Sequence, residues 1–152
     1  MKEPNLKKIM VFGTFDILHK GHLHFFKQAR KFGLKSFLVV SVARDINVKK
    51  IKGTMPEFSE RTRLGRVSEC KLVNQATLGG KKDFLSHILK IRPNIIALGY
   101  DQVAYTQNLK NILKSKGLEV IVKRLKSYKP NKYKSSILKK SMQSNLAIYK
   151  KT

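Results

Sequence analysis

Residues 11–22 of this chain read VFGTFDILHKGH, and the fold follows from this stretch. Ile9 and Met10 precede it and complete an apolar run of strand length, which predicts a buried strand. The chain turns at Gly13, and residues 23–30 then place apolar side chains at helical spacing. With the apolar run at 36–43 as a second strand, this order predicts a βαβ unit and a parallel sheet with a right-handed crossover.

Two histidines, His19 and His22, flank Gly21 where the turn enters the helix. At this spacing both imidazoles can lie on one helical face, and a helix start favours an anion. Each ring can donate to a phosphate oxygen, Thr14 adds a hydroxyl, and Gly21 lets a phosphate approach the backbone. A bare His-x-Gly-His is more often a surface pair. The strand, turn and helix around this one favour a nucleoside triphosphate site.

The Gly-Thr-Phe-Asp and His-Lys-Gly-His segments at 13–16 and 19–22 resemble the HxGH nucleotidyltransferase superfamily, and within it the cytidylyltransferase-like branch. Such enzymes transfer a nucleoside monophosphate from ATP or CTP to a phosphate-bearing acceptor and release pyrophosphate. The resemblance implies catalysis by His19 and His22, and nucleotide binding by those two residues with Gly13, Thr14, Phe15, Asp16 and Gly21.

The segment from Arg44 to Gly53 follows the second predicted strand and reads as a basic loop. It lies at the carboxyl end of a parallel strand, where α/β folds bind ligands. Lys52, next to Gly53, is predicted to contact phosphate and to take part in catalysis, with Lys49 as the second choice. A solvated basic loop is the alternative, and charge alone favours it.

Ser59 is predicted to cap a helix, in which Glu60 and Arg63 are spaced for a surface ion pair. In the family, a serine, an acid and an arginine at this spacing open the helix that reaches the nucleotide, which implies that Arg63 binds it. Together with Ala43-Arg44-Asp45 and Lys52-Gly53, this arrangement is similar to archaeal-type FAD synthases. The acceptor is then expected to contact Asp45, Lys49 and Lys52.

The rest of the chain continues the alternation of strands and helices. Strands are predicted at 71–74, 94–99 and 118–125, and helices at 84–90, with His87 on its surface, and around 109–113. We therefore expect a single doubly wound, Rossmann-like α/β domain over residues 1–152, with a parallel sheet of about five strands flanked by helices.

Two further segments carry the resemblance. Residues 97–102 resemble the archaeal FAD synthase pattern, whereas glycerol-phosphate cytidylyltransferases typically have a Gly-Asp-Asp-like sequence there; Gly99, Tyr100 and Asp101 are thus expected to bind nucleotide. The family's last motif has an arginine before two hydroxyl residues. Here Lys134, Ser135 and Ser136 are expected to bind phosphate, although a lysine cannot form the bidentate arginine fork.

The net charge of +24 favours anionic substrates, or nucleic acid. A single cysteine excludes an internal disulfide, and no apolar segment approaches the length of a membrane span or a signal-peptide core; we expect a cytoplasmic protein. The resemblance also implies a homodimer, since family members are often dimers.

The preferred hypothesis is transfer of AMP from ATP to FMN, giving FAD and pyrophosphate, with Mg²⁺ bound through the triphosphate. One alternative is a CTP-dependent cytidylyltransferase acting on glycerol 3-phosphate or a similar alcohol phosphate. A second is a basic nucleic-acid-binding protein that lost catalysis.

Overall fold

The computed structural model describes residues 5–100, 102 and 108–126. Strands and helices alternate along this part of the chain. In order, they are β1 (Leu6–Gly13), α1 (Lys20–Arg30), β2 (Lys35–Val42), α2 (Asp45–Lys52), α3 (Glu60–Ser68), β3 (Gln75–Leu78), α4 (Phe84–Ile91), β4 (Ile95–Leu98), α5 (Leu109–Ser115) and β5 (Ile121–Arg124).

All five strands form one parallel sheet in the order β3-β2-β1-β4-β5. β1 is central, and the chain winds outward from it in both directions, so the predicted doubly wound sheet is confirmed. The strand order reverses between β1 and β4, and ligands of such sheets bind outside the carboxyl ends of the strands at this point. The turn after β1 lies there.

Two apolar cores cover the two faces of the sheet, which explains the continuous apolar runs of its strands. Ile9 and Val11 of β1 point into the core that contains α1 and α3, and Met10 points into the core that contains α4 and α5. All three side chains are fully buried. Among the described residues, no helix is long and apolar enough to cross a membrane.

The segment predicted as a basic loop is a helix, α2, and that prediction was wrong. Asp45 lies in its first turn and its lysines in the last turn, which suits the helix dipole. Val48 is buried against the protein, and Gly53 ends the helix in the left-handed conformation at φ 81°. The lysines therefore project from a fixed element.

The third strand also differs from its predicted position, since β3 covers Gln75–Leu78 rather than 71–74. Leu72 and Val73 are apolar because they pack against the core of the α1 face, outside the sheet ladder. Asn74 ends this segment by pairing with Leu38, donating its backbone N–H and accepting through its side chain. The predicted helix cap at Ser59 is confirmed, and Asp83 caps α4 in the same way.

Candidate active site

His19 is the N-cap residue of α1. Its backbone is extended, and its Nδ1 accepts a hydrogen bond from the backbone N–H of Gly21 at 3.0 Å. In a neutral ring that accepts through Nδ1, the proton is on Nε2. The Gly21 amide is thus used to orient His19, and Nε2–H is the donor that His19 can offer to a ligand.

The His22 ring stacks on that of His19, with centroids 3.9 Å apart and planes 24° from parallel. Burial, together with the nearby charges of His19 and Lys52, lowers the pKa of His22 to about 3, although a hydrogen bond to the Ile17 backbone opposes the shift. Burial also lowers the pKa of His19. At neutral pH His22 is therefore an uncharged imidazole in the free protein.

One ring atom of His22 marks the place for a ligand. Its Nδ1 is buried and has no hydrogen-bond partner within the part of the chain that the structure describes. Buried polar atoms are nearly always paired, so an exception at a ligand-binding edge indicates an absent partner. A phosphate oxygen fits this atom once the ring is protonated, because Nδ1 then becomes a donor.

Phe15 supports the ring of His22. It has a left-handed backbone at φ 53°, is 3% exposed, and its ring packs edge-on to His22 at 5.2 Å and against Phe26 at 5.4 Å. A Cβ on Gly13 would lie 2.6 Å from the Phe15 ring, so only glycine leaves it room. That Phe15 binds nucleotide stays a prediction; its buried side chain supports the histidine.

Asp16 was also predicted to bind nucleotide, and its side chain is turned the other way. It is 1% exposed, and its two carboxylate oxygens accept the backbone N–H groups of Glu57 at 2.7 Å and Phe58 at 2.9 Å. The carboxylate thus ties the segment before α3 to the turn after β1.

Arg63 is fully buried and fixes the same turn. Its guanidinium donates to the carbonyls of Thr14 at 2.8 Å and Phe58 at 2.9 Å, and to Oδ1 of Asp45 at 2.7 Å. The surface ion pair with Glu60, for which the spacing allowed, does not form, because Glu60 bonds to Arg44 and to the Asp45 backbone. That Arg63 also binds nucleotide stays a prediction; its contacts with the protein make it a positioning residue for this turn.

The predicted acceptor-binding residues all lie on α2, but they differ in their surroundings. Lys52 is in its last turn, and its charge reaches His22, lowering the pKa of that ring. Lys49 is exposed one turn earlier. The Asp45 carboxylate is engaged by Arg63 and by the Glu60 backbone N–H. The structure thus brings Lys52 to the histidines and links Asp45 to their support.

The loop after β4 borders the other side of the turn. Gln102 accepts from the Gly99 backbone N–H at 2.7 Å and donates to the Phe12 carbonyl at 2.6 Å. Arg124 donates to the carbonyls of Gly99 at 2.9 Å and Gln102 at 2.8 Å. Sequence reasoning assigned no role here to Gln102.

Tyr100 is 40% exposed at this edge. Four other predicted nucleotide ligands lie outside the described residues, and their roles remain predictions: Asp101, Lys134, Ser135 and Ser136. Within the described ranges, no cluster of three or more histidines, cysteines or carboxylates could hold a metal ion.

Comparison with known proteins gives consistent matches. The family model described as Cytidylyltransferase-like matches residues 10–141. FAD synthase from Thermoplasma volcanium is 37% identical over 89% of this chain and 93% of its own length. FAD synthase from Ferroglobus placidus is 44% identical over 80% of this chain and 78% of its own.

A solved structure agrees with these matches. The crystal structure of the lipopolysaccharide core biosynthesis protein from Thermoplasma volcanium covers 80% of this chain and 98% of that one, with TM-score 0.73 and 38% identity. By the family model, the sequence identities and the shared fold, the chain belongs to the cytidylyltransferase-like family.

Proposed function

We propose that this protein is a nucleotidyltransferase that transfers AMP from ATP to FMN, giving FAD and pyrophosphate. The observation that carries the proposal is the stacked pair of His19 and His22. The buried Nδ1 of His22 has no hydrogen-bond partner among the described residues, and the charge of Lys52 acts on the same ring. The relatives that bear the name FAD synthase span most of this chain.

In the proposed reaction, a phosphate oxygen of FMN attacks the α-phosphorus of ATP in line with the bond to the leaving group. A new P–O bond forms between the FMN phosphate and the α-phosphorus. The bond from the α-phosphorus to the oxygen that bridges the α- and β-phosphates breaks, and its electron pair leaves with pyrophosphate. The FMN phosphate is already anionic, so no general base is required. Catalysis then consists of positioning and of charge stabilisation by groups in place before the reaction.

The two histidines supply that stabilisation. His19 offers its Nε2–H, and His22 becomes a second donor when the triphosphate raises its pKa again. Lys52 neutralises charge on the phosphates from the end of α2. Gly99 and Tyr100 border the nucleotide side, and Asp101 and the Lys134–Ser136 motif are assigned to the nucleotide on the basis of sequence.

Mg²⁺ is assigned to the substrate. Mg²⁺ usually keeps several waters and binds through substrate phosphates, and no cluster of three or more histidines, cysteines or carboxylates among the described residues could hold it. The ion would therefore arrive bound to triphosphate oxygens and water, which neutralises part of their charge.

The test is pyrophosphate release with Mg²⁺, with ATP and CTP each paired with FMN and with glycerol 3-phosphate. Release with ATP and FMN, and a product with the mass of FAD, is the expected result. Release only with CTP and glycerol 3-phosphate would make the protein a glycerol-phosphate cytidylyltransferase. No release in any pairing, together with salt-sensitive retention of nucleic acid, would favour the binding-protein alternative.

A further inference from the structure

The described part of the chain contains three buried polar or charged residues, Asp16, Ser41 and Arg63. Asp16 and Arg63 hold the turn after β1. Ser41 lies among the valines of β2, and its Oγ is 3.1 Å from Nε2 of His87 on α4. His87 was predicted to lie on the helix surface, but it is half-buried and points to the sheet. A polar pair between apolar layers is costly to desolvate, so its position is informative.

That position is the ligand-binding edge. Ser41 is the penultimate residue of β2, and Gly79 and Gly80 pass over the pair just after β3. A Cβ on Gly79 would lie 3.4 Å from the Ser41 Oγ, and one on Gly80 would lie 3.4 Å from the Cβ of His87. Backbone without side chains therefore borders the pair on the side of the edge.

An aromatic surface adjoins the pair. Phe12 of β1 is the register partner of Ser41, and Phe84 precedes His87 by one turn of α4. The two phenyl rings contact each other with centroids 5.0 Å apart, and both side chains are half-buried. Two half-exposed rings beside a hydrogen-bonding pair suit a planar, conjugated group with a polar edge.

Helix α2 links this place to the catalytic histidines. At its start, the charge of Arg44 acts on the His87 ring, and Asn47 donates to the Gly80 carbonyl at 2.8 Å. At its end, the charge of Lys52 acts on His22. The eight residues of α2 span about 12 Å at ~1.5 Å per residue. This span suits a mononucleotide with its phosphate at one end and its ring at the other.

We propose that Ser41 and His87 bind the polar edge of the acceptor's ring, with Phe12 and Phe84 against its face. The inference rests on the proposed function, and it makes His87 a residue that selects a flavin over a short alcohol phosphate. The pKa of His87 is lowered by burial and by the charges of Lys90 and Arg44. Since Nε2 of His87 pairs with the Ser41 Oγ, Nδ1 of the neutral ring and the serine hydroxyl are the groups left for the ring N–H and the carbonyl oxygens at the pyrimidine-like edge of a flavin.

Flavin fluorescence provides the test without requiring turnover. FMN and 3-methyl-FMN, which lacks the ring N–H donor, are titrated into the protein with Mg²⁺ and α,β-methylene-ATP. The variants are His87→Leu, Ser41→Val and, as a control at an exposed lysine of α5, Lys114→Gln. We expect His87→Leu and Ser41→Val to weaken FMN binding by about tenfold, the effect of one or two lost hydrogen bonds, and Lys114→Gln to leave it unchanged.

The two ligands separate recognition from structure. The unmodified protein should bind FMN more tightly than 3-methyl-FMN, and His87→Leu should bind both equally. Equal discrimination by the unmodified protein and His87→Leu would overturn the inference, as would failure of the unmodified protein to bind FMN. Tight FMN binding without FAD formation with ATP would refute the proposed function alone. Melting curves show whether Ser41→Val and His87→Leu remain folded. Unequal binding of the two flavins by a folded variant would contradict the inference.

Discussion

At the scale of single residues, His22 is placed to donate a hydrogen bond to the transition state. Its ring is buried, stacked on His19 and supported edge-on by Phe15, so little reorganisation is needed during reaction. We expect His22→Ala to lower kcat by at least ~100-fold, as for loss of one preorganised electrostatic donor. Steady-state pyrophosphate release measures this, with Lys27→Ala on the exposed face of α1 as control. Equal turnover in the two variants would remove His22 from the mechanism.

The depressed pKa of His22 makes nucleotide binding pH-dependent. The pKa is about 3 in the free protein, lowered by burial and then by the charges of His19 and Lys52, and an adjacent triphosphate must raise it. A group whose pKa rises on binding takes up protons, so affinity increases as pH falls from neutral towards the free value. Calorimetry with ATP in two buffers of different ionisation enthalpy should detect the uptake. In His22→Asn it should be smaller; an unchanged uptake assigns it elsewhere.

Arg63 is a buried cation held by three protein oxygens. Arg63→Leu removes it, so Oδ1 of Asp45 and the carbonyls of Thr14 and Phe58 lose this donor. Breaking such a pair costs about 3–5 kcal/mol, reduced where the partner keeps some solvent contact, as Asp45 does. Urea unfolding should show a loss of about 2–4 kcal/mol, against less than ~0.5 kcal/mol for exposed Arg61→Leu. Similar losses for both would mean the network contributes little.

Sequence reasoning located the histidines correctly because their spacing and the flanking strand and helix determine where they lie. The nucleotide-binding roles given to Phe15, Asp16 and Arg63 stay predictions, and the burial of these three side chains was not foreseen, because a motif shows which residues occur together and not which way their side chains point. Burial decides that direction, and burial of Phe15 depends on contacts with Phe26 and on the space left by Gly13. Ser41 and His87, 46 residues apart, have no local pattern that indicates their contact.

At the scale of elements, we expect the substitution of glycine by alanine to have opposite effects at two positions. A Cβ would meet nothing within 4 Å at Gly53 or at Gly65, so packing contributes little at either position and the backbone conformation determines the change in stability. Gly53 ends α2 at φ 81°, where alanine is strained, and Gly65 lies inside α3. We expect Gly53→Ala to lower the free energy of unfolding by about 1 kcal/mol and Gly65→Ala to raise it by about 0.5–1 kcal/mol. Denaturant unfolding of both variants tests this, and the same sign for both would contradict it.

The same helix shows what sequence could and could not predict at this scale. The parallel sheet was predictable because its buried strands are apolar throughout, as both faces are covered. α2 was read as a loop because its lysines and single buried residue, Val48, give little helical pattern over eight residues. Tertiary contacts make it a helix, including the bonds from Arg44 and Asn47 to the backbone after β3.

At the scale of the whole molecule, positive charges far outnumber negative ones. The chain has 33 lysines and arginines against 9 acidic residues. Two ion pairs, Arg44–Glu60 and Arg63–Asp45, lie in the network behind the site. Because lysines and arginines far outnumber acidic residues, most positive charges have other positive charges as neighbours across solvent, which concentrates anionic substrates near the protein and opposes compactness.

Added salt should consequently stabilise the fold, since it screens repulsion over about a Debye length while few exposed pairs are lost. α5 provides a test, because Lys110 and Lys114 are one turn apart on exposed positions. Lys110→Glu replaces their repulsion by an i,i+4 pair and places an acid in the first turn. We expect a Tm several degrees higher than that of the unmodified protein at 50 mM NaCl, because removing one repulsion and adding a pair contributes on the order of 1 kcal/mol. The difference should shrink at 500 mM, whereas a salt-independent difference would show that repulsion is not its cause.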